Sequence, residues 1–192
     1  MDFINYKTID PKELSGNIFE LIDNKWFLIT AAKTDGTFNT MTASWGGMGV
    51  MWGKPVVWTV IRPIRYTYEF MEGADYFTLT FFPHEYRKAL NILGTKSGRD
   101  GDKVKESGLT PVIFSINGGN TDNTENTENT ENTENKKEAV FFKEADTVMV
   151  CKKLYYQDID PSNFIDASLE QNYPKKDYHR MYFGEITECF VK

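Results

Sequence analysis

Apolar and polar residues alternate with period two along several short stretches of this chain, the pattern of half-buried strands. The alternation predicts strands at 3–9, 26–33, about 38–51, 55–62, 76–82, 111–116, 139–142, 147–158 and 178–191. Asp35-Gly36 is a turn signal between the second and third. The run at 55–62 is almost wholly apolar, as expected of a strand covered on both faces. Helical spacing is briefer. Residues 11–24 read as a short helix or helical turns, and 64–72 as a helix with Tyr68 and Met71 on one face. A third helix is expected at 84–93, with Leu90 and Leu93 inward and Gly94 at its end, and a fourth at 101–107, ended by Gly108. Many strands with only short helices argue for a barrel or sandwich rather than a doubly wound sheet. A GxGxxG fingerprint is absent.

Composition changes this picture little. The 192 residues suit one domain, 1–192, and 40% hydrophobic with 15% aromatic residues is enough for a substantial β-rich core. One segment departs from the pattern. Residues 120–135 read NTD, four copies of NTE and a final Asn, with no apolar side chain to join a core. The segment is expected to be a solvent-exposed loop insertion, at about 117–137, between two strands. The formal charge of −6 is discounted accordingly. Asp122, Glu125, Glu128, Glu131 and Glu134 lie in the repeat, and the rest of the chain carries −1. No basic run of the nucleic-acid-binding kind is present. Cys151 and Cys189 form no CxxC pair and there are two histidines, so no metal site is expected, and both thiols read as reduced side chains in β-structure. The start lacks a signal-peptide pattern and no stretch approaches a membrane span, which makes the cytoplasm the expected compartment.

Candidate chemistry concentrates at 39–67. Thr40, Thr42 and Ser44 fall on one face of their strand, and Met41, Ala43 and Trp45 on the other. Gly46, Gly47 and Gly49 then allow a close approach or a bend. The next strand ends at Arg62. Pro63 suits the first turn of a helix, which places Arg65, Tyr66 and Thr67 in that turn. Hydroxyls, glycines, two arginines and a helix N-terminus suit a phosphorylated, flat ligand. Arg62 and Arg65 could converge on one anion, with Thr67 adding a hydroxyl.

The order and spacing of WFLITA (26–31), NTMTASW (39–45), KPVVWTVIRPIRYTYEF (54–70), YFTLTFF (76–82), LGTKSGRDGDK (93–103) and YHRMYFGEI (178–186) resemble the flavin-reductase-like family of FMN-binding split β-barrels, in its flavoredoxin-like branch. The resemblance implies a mainly β fold, a six-stranded split barrel with inserted helices, and a homodimer with flavin at the subunit interface. It implies FMN along Asn39, Met41, Thr42, Ala43, Ser44 and Trp45, with its phosphate at Arg62, Arg65 and Thr67. Gly46-Gly47-Met48-Gly49 stand where many relatives carry bulkier, more hydroxylated residues. Ser97, Gly98 and Arg99 would donate to phosphate or ribityl oxygens; alternatively, Arg99 and Lys103 meet the pyrophosphate of a nicotinamide cofactor, or the segment is simply a polar loop. His179 would lie near the flavin or nicotinamide face, unless it is structural. His84 reads as a helix-start residue. No nucleophile–base pair is evident, and hydride transfer needs none. The implied activity is an NAD(P)H-dependent flavin or ferric reductase that passes electrons through FMN to a small-molecule flavin, a metal chelate or a redox protein. The alternatives are an FMN electron carrier serving a protein partner, or a small barrel with another ligand.

Overall fold

In a computed structural model that describes residues 6–116 and 137–192, these runs become β1 (Lys7–Thr8), β2 (Phe27–Ala32), β3 (Phe38–Ala43), β4 (Gly46–Met51), β5 (Lys54–Ile61), α1 (Tyr66–Gly73), β6 (Tyr76–Phe81), α2 (Arg87–Thr95), α3 (Lys103–Ser107), β7 (Pro111–Ile116), β8 (Lys137–Phe142), β9 (Thr147–Asp158) and β10 (Arg180–Val191). The N-terminal helical stretch is two separate turns, Pro11–Glu13 and Glu20–Asn24. The NTE repeat and the first residues of the strand expected at 3–9 lie outside the described residues.

One antiparallel sheet runs in the order β3-β2-β6-β9-β10-β5-β4, with β1 added to β10. Its two end strands, β3 and β4, are consecutive in the chain and joined only by Ser44 and Trp45. Three peptide links span at most ~11 Å, so the two ends of the sheet must meet there. This is a split barrel. The expected strand 38–51 is therefore two strands, because β3 pairs with β2 while β4 pairs with β5. Counted as one bent strand, β3 and β4 complete six with β2, β5, β6, β9 and β10. The Thr59 hydroxyl donates to Trp45 O (3.3 Å) at the bend.

Alternation along the strands sorts side chains into two cores. Ile29, Met41, Val57, Ile61, Phe77, Leu79 and Tyr182 fill the barrel. Leu28, Val148 and Val150 point the other way, against Leu90 and Leu93 of α2, Leu109 and the Phe141–Phe142 pair of β8. Cys151 and Cys189 are free and fully buried, and burial pushes both thiols above their ordinary pKa. They are core side chains, inert as nucleophiles.

Two details correct the sequence reading near α1 and α2. Pro63 does not open the helix. Arg65 N donates to Arg62 O (3.0 Å), so Pro63 sits in a turn between strand and helix, and Arg65 is the N-cap residue. Helix α2 runs through Gly94 to Thr95.

Candidate functional site

Three segments converge beside the N-terminus of α1. The turn from β5 brings Ile64 and Arg65, α1 itself brings Tyr66 and Thr67, and the end of α2 with the segment after it brings Thr95, Lys96 and Ser97. With Lys103 they line a cleft of about 180 Å³. Arg65 caps α1 without any side-chain cap bond; of the first-turn amides, Tyr68 N donates to Arg65 O (2.9 Å). The Asn39 amide donates to Thr67 Oγ1 (2.8 Å), which leaves the Thr67 proton to donate elsewhere. Ser97 Oγ likewise accepts, from Arg99 N (3.2 Å).

The charges of this cleft are unbalanced. Lys103 is 3% exposed, and its ammonium donates only to Leu93 O (3.1 Å) and Lys96 O (3.2 Å). Arg65 Nη2 donates to Gly94 O (2.7 Å). Among the described residues neither cation has a carboxylate partner. Burial, followed by repulsion from Arg65, pushes the Lys103 ammonium down to about 8. Burial, and then Arg62, lowers Arg65. Lys96, by contrast, is paired with Glu106. Two desolvated cations facing hydroxyls and helix amides form a donor-only site for an anion with several oxygens.

The loop over the cleft is fixed. Arg99 pairs with Glu69, donates to Ile64 O (3.4 Å) and lies over the Tyr66 ring at 4.6 Å. Gly98 presses on Asn39 and Tyr66; a Cβ there would fall inside the Asn39 Oδ1 radius. Arg99 therefore holds the loop and is committed to Glu69. Lys103, for which one alternative was a nicotinamide pyrophosphate contact with Arg99 and another a plain polar loop, lies with Arg65 in the cleft. One signal was available. Lys103 is the first residue of α3, after the N-cap Asp102, where the helix dipole disfavours a cation.

Arg62 does not join this cleft. Its Nη1 pairs with Asp177 (3.0 and 2.9 Å) and its Nη2 donates to Asn172 O (2.8 Å). The expected convergence of two arginines is not found, because Asp177, far along the chain, claims the first of them. The guanidinium lies 5.2 Å from the Tyr173 ring centre, and the Tyr173 hydroxyl meets His179 Nδ1 at 2.9 Å. The His179 ring packs against Trp45 at 5.2 Å. Burial, then Arg62, pushes His179 down to about 4, so it is neutral at ordinary pH. His179 is 8% exposed and supports Trp45 from behind.

Along β3 the alternation holds. Met41 lies in the barrel core and Ala43 packs against it. The Thr42 hydroxyl donates to Leu90 O (2.5 Å). These three side chains are spent on packing, so only their backbone is left to meet a ligand. Among the described residues β3 is an end strand paired to β2 alone, so its other edge has no strand partner. Ser44 and Trp45, by contrast, line a second, apolar cavity with Gly46 and Gly47.

No described helix is long and apolar enough to cross a membrane. No curated protein matches the sequence significantly. The fold is shared with an FMN-binding domain of a flavin reductases-like enzyme from Shewanella baltica OS155 (16% identity, 97% of this chain and 77% of that one, TM-score 0.60). It is shared equally with flavoredoxin of Desulfovibrio vulgaris (Miyazaki F) (18% identity, 96% and 77%, TM-score 0.60). The styrene monooxygenase flavin reductase of Pseudomonas putida S12 is more distant (10% identity, 87% and 79%, TM-score 0.51). Residues 21–192 match the family described as the flavin reductase like domain, and with that match over most of its length the chain belongs to this family.

Proposed function

We propose that this protein binds FMN and works as an NAD(P)H-dependent flavin oxidoreductase. The observation that carries the reading is the buried Lys103 beside the half-buried Arg65 at the N-terminus of α1, neither with a carboxylate among the described residues. Burying such charges is costly unless an anion meets them. A phosphate monoester fits the donor set of Arg65, Lys103, Thr67, Ser97 and the first amides of α1. The free edge of β3 offers backbone groups to the polar edge of a flat ring, and Ser44 and Trp45 continue that wall. Bound FMN supplies reversible hydride and electron transfer through its ring. The protein's part is to fix the phosphate, orient the ring and hold Trp45 in place through His179, which stays neutral and moves no proton between pH 6 and 9.

A homodimer is part of this proposal. Its support is the apolar surface at the β4–β5 hairpin, where Val50 and Trp52 are 70% and 56% exposed. Trp52 holds a left-handed backbone (φ 53°), a strained choice for so large a residue, while its ring rests on Tyr155 and Phe183.

The test is ligand binding followed by reduction. FMN should bind at least tenfold tighter than riboflavin, and anaerobic NADH or NADPH should bleach the visible flavin bands. Equal affinity for the two flavins would remove the phosphate assignment. Bands that persist with both nucleotides but bleach with dithionite would replace the reductase by an electron carrier.

A further inference from the structure

A third cavity, of about 410 Å³, lies at one mouth of the barrel and shares no residue with the phosphate cleft. Small-molecule sites usually fall within roughly 300–1,000 Å³, and barrel mouths are among their preferred places. The β4–β5 hairpin builds one wall. Met48 pairs with Val57 and Val50 with Pro55, so the four side chains share one face. Met48 and Val57 reach the barrel core, whereas Val50 and Pro55 run past its end and line the cavity. Ile186 of β10, itself a core residue, closes the floor.

The opposite wall is the N-terminal arm, residues 11–25. Leu14 and Leu21 pack on the barrel core, and Ile18 joins them at the cavity. The arm is tied down at its two ends. Ile9 N donates to Cys189 O (3.0 Å), and Arg87 Nη1 donates to Asn24 O (2.7 Å) and Lys25 O (3.2 Å). Between these ties, among the described residues, no backbone hydrogen bond joins the arm to β4. Arm and strand edge therefore stand apart, and the space between them is the cavity.

The lining selects a class of ligand. No aromatic side chain lines this cavity, so nothing in it stacks on a ring; aliphatic walls from both sides suit an alkyl chain. The charged groups at its edge are Lys12, Lys25 and Glu20. Glu20 is engaged by the Asn24 amide. Lys25 reaches a carboxylate only at 3.8 Å, that of Asp146, and Lys12 has no carboxylate partner among the described residues. Two ammonium groups against one occupied carboxylate leave the edge positive. We propose that the barrel mouth binds an aliphatic monocarboxylate, its chain between the arm and the hairpin and its head group at Lys12 and Lys25. The site goes beyond the flavin reading and does not depend on it, since only Ile18 and Met48 also line the apolar cavity beside Trp45.

Calorimetric titration of the full chain with hexanoate, octanoate and the matched cation octylammonium at pH 7 tests this, with and without saturating FMN. Octanoate should bind about tenfold tighter than hexanoate, from burial of two further methylenes, and at least fivefold tighter than octylammonium. Val50→Asp, at an exposed side chain and so tolerant in folding, should weaken octanoate at least tenfold. Lys12→Glu, on an exposed turn, should remove the preference for the carboxylate over the ammonium. FMN should leave octanoate affinity within twofold. Equal affinity for octanoate and octylammonium, no gain with chain length, or indifference to both variants would overturn the proposal. Competition between FMN and octanoate would also overturn it, by moving the chain into the cavity beside Trp45. A protein that takes up no FMN yet binds octanoate with this selectivity would keep the barrel-mouth site and remove only the flavin reading.

Discussion

Lys103→Met should make the protein more stable and a worse FMN binder at once. The ammonium is 3% exposed, bonded to two carbonyls, and faces Arg65 rather than a carboxylate. Its pKa falls from 10.5 in the unfolded chain to about 8 in the fold. A depression of that size corresponds to roughly 3 kcal/mol of lost stability. The unfolded chain holds the proton up to the higher value and the folded chain only up to the lower. The cost is therefore complete below pH 8 and vanishes as pH rises toward 10.5. Methionine fills the same space without the charge but forfeits the bonds to Leu93 O and Lys96 O, which returns roughly 1–2 kcal/mol. FMN-free Lys103→Met should then gain about 1–2 kcal/mol at pH 7, a rise of about 2–8 °C in Tm for a chain of this size. Thermal unfolding followed by circular dichroism at pH 7 and pH 10 reads this, and the gain should shrink at the higher pH. The same variant should lose about 1.5–3 kcal/mol of FMN affinity and leave riboflavin within twofold. A variant less stable than wild type at both pH values would refute the buried-charge reasoning. Parallel losses for both flavins would place the phosphate elsewhere.

Three further outcomes separate the roles of neighbouring residues. Arg65→Ala should cost FMN about 1.5–3 kcal/mol and spare riboflavin, whereas Arg62→Ala should weaken both flavins alike, because Arg62 is committed to Asp177; fluorescence titration of the two ligands against the two variants decides. Gly98→Ala should push its loop off Asn39 and Tyr66, costing about 1–3 kcal/mol of stability; an unchanged Tm would show that the loop yields freely. His179 titrates at about 4 in the fold and near 6.5 unfolded, so stability should fall as pH drops from 6.5 toward 4; His179→Gln should flatten that slope in urea melts, and an unchanged slope would shift the cause to other groups.

Much of the barrel was legible because strand burial is a local signal. Met41 alternates with Thr40 and Thr42, and the folded chain keeps it on the face opposite theirs, in the barrel core. Asp102 and Gly108 bracket α3 as their chemistry requires, the first accepting from Lys105 N (3.0 Å) and the second left-handed at φ 75°. The break at Ser44–Trp45 was not legible, since the apolar pattern runs through it and only the pairing partners change. Arg62 failed for a similar reason. Whether an arginine at a strand end meets a ligand or a carboxylate depends on what the fold brings beside it, and Asp177 arrives from the far end of a long excursion. The burial of Lys103 was not legible, because a lysine in a polar, Gly-rich run reads as solvent-facing; it is set by the packing of α3 against α2.

The two ends of the β3 segment carry opposite chemistry, and this orders the site. At Asn39 the strand meets Thr67, Gly98 and an excess of buried positive charge. At Ser44–Trp45 it meets an apolar chamber with no cation. Six residues of strand span roughly 20 Å, so a ligand lying along β3 would be held by charge at one end and by surface contact at the other. The cations without carboxylate partners would fix its direction, since a phosphate has no favourable place in the apolar chamber. The same asymmetry bears on Lys103, buried beside the half-buried Arg65: removing the Lys103 charge should stabilise the empty fold, whereas a bound anion would turn the repulsion between the two cations into affinity.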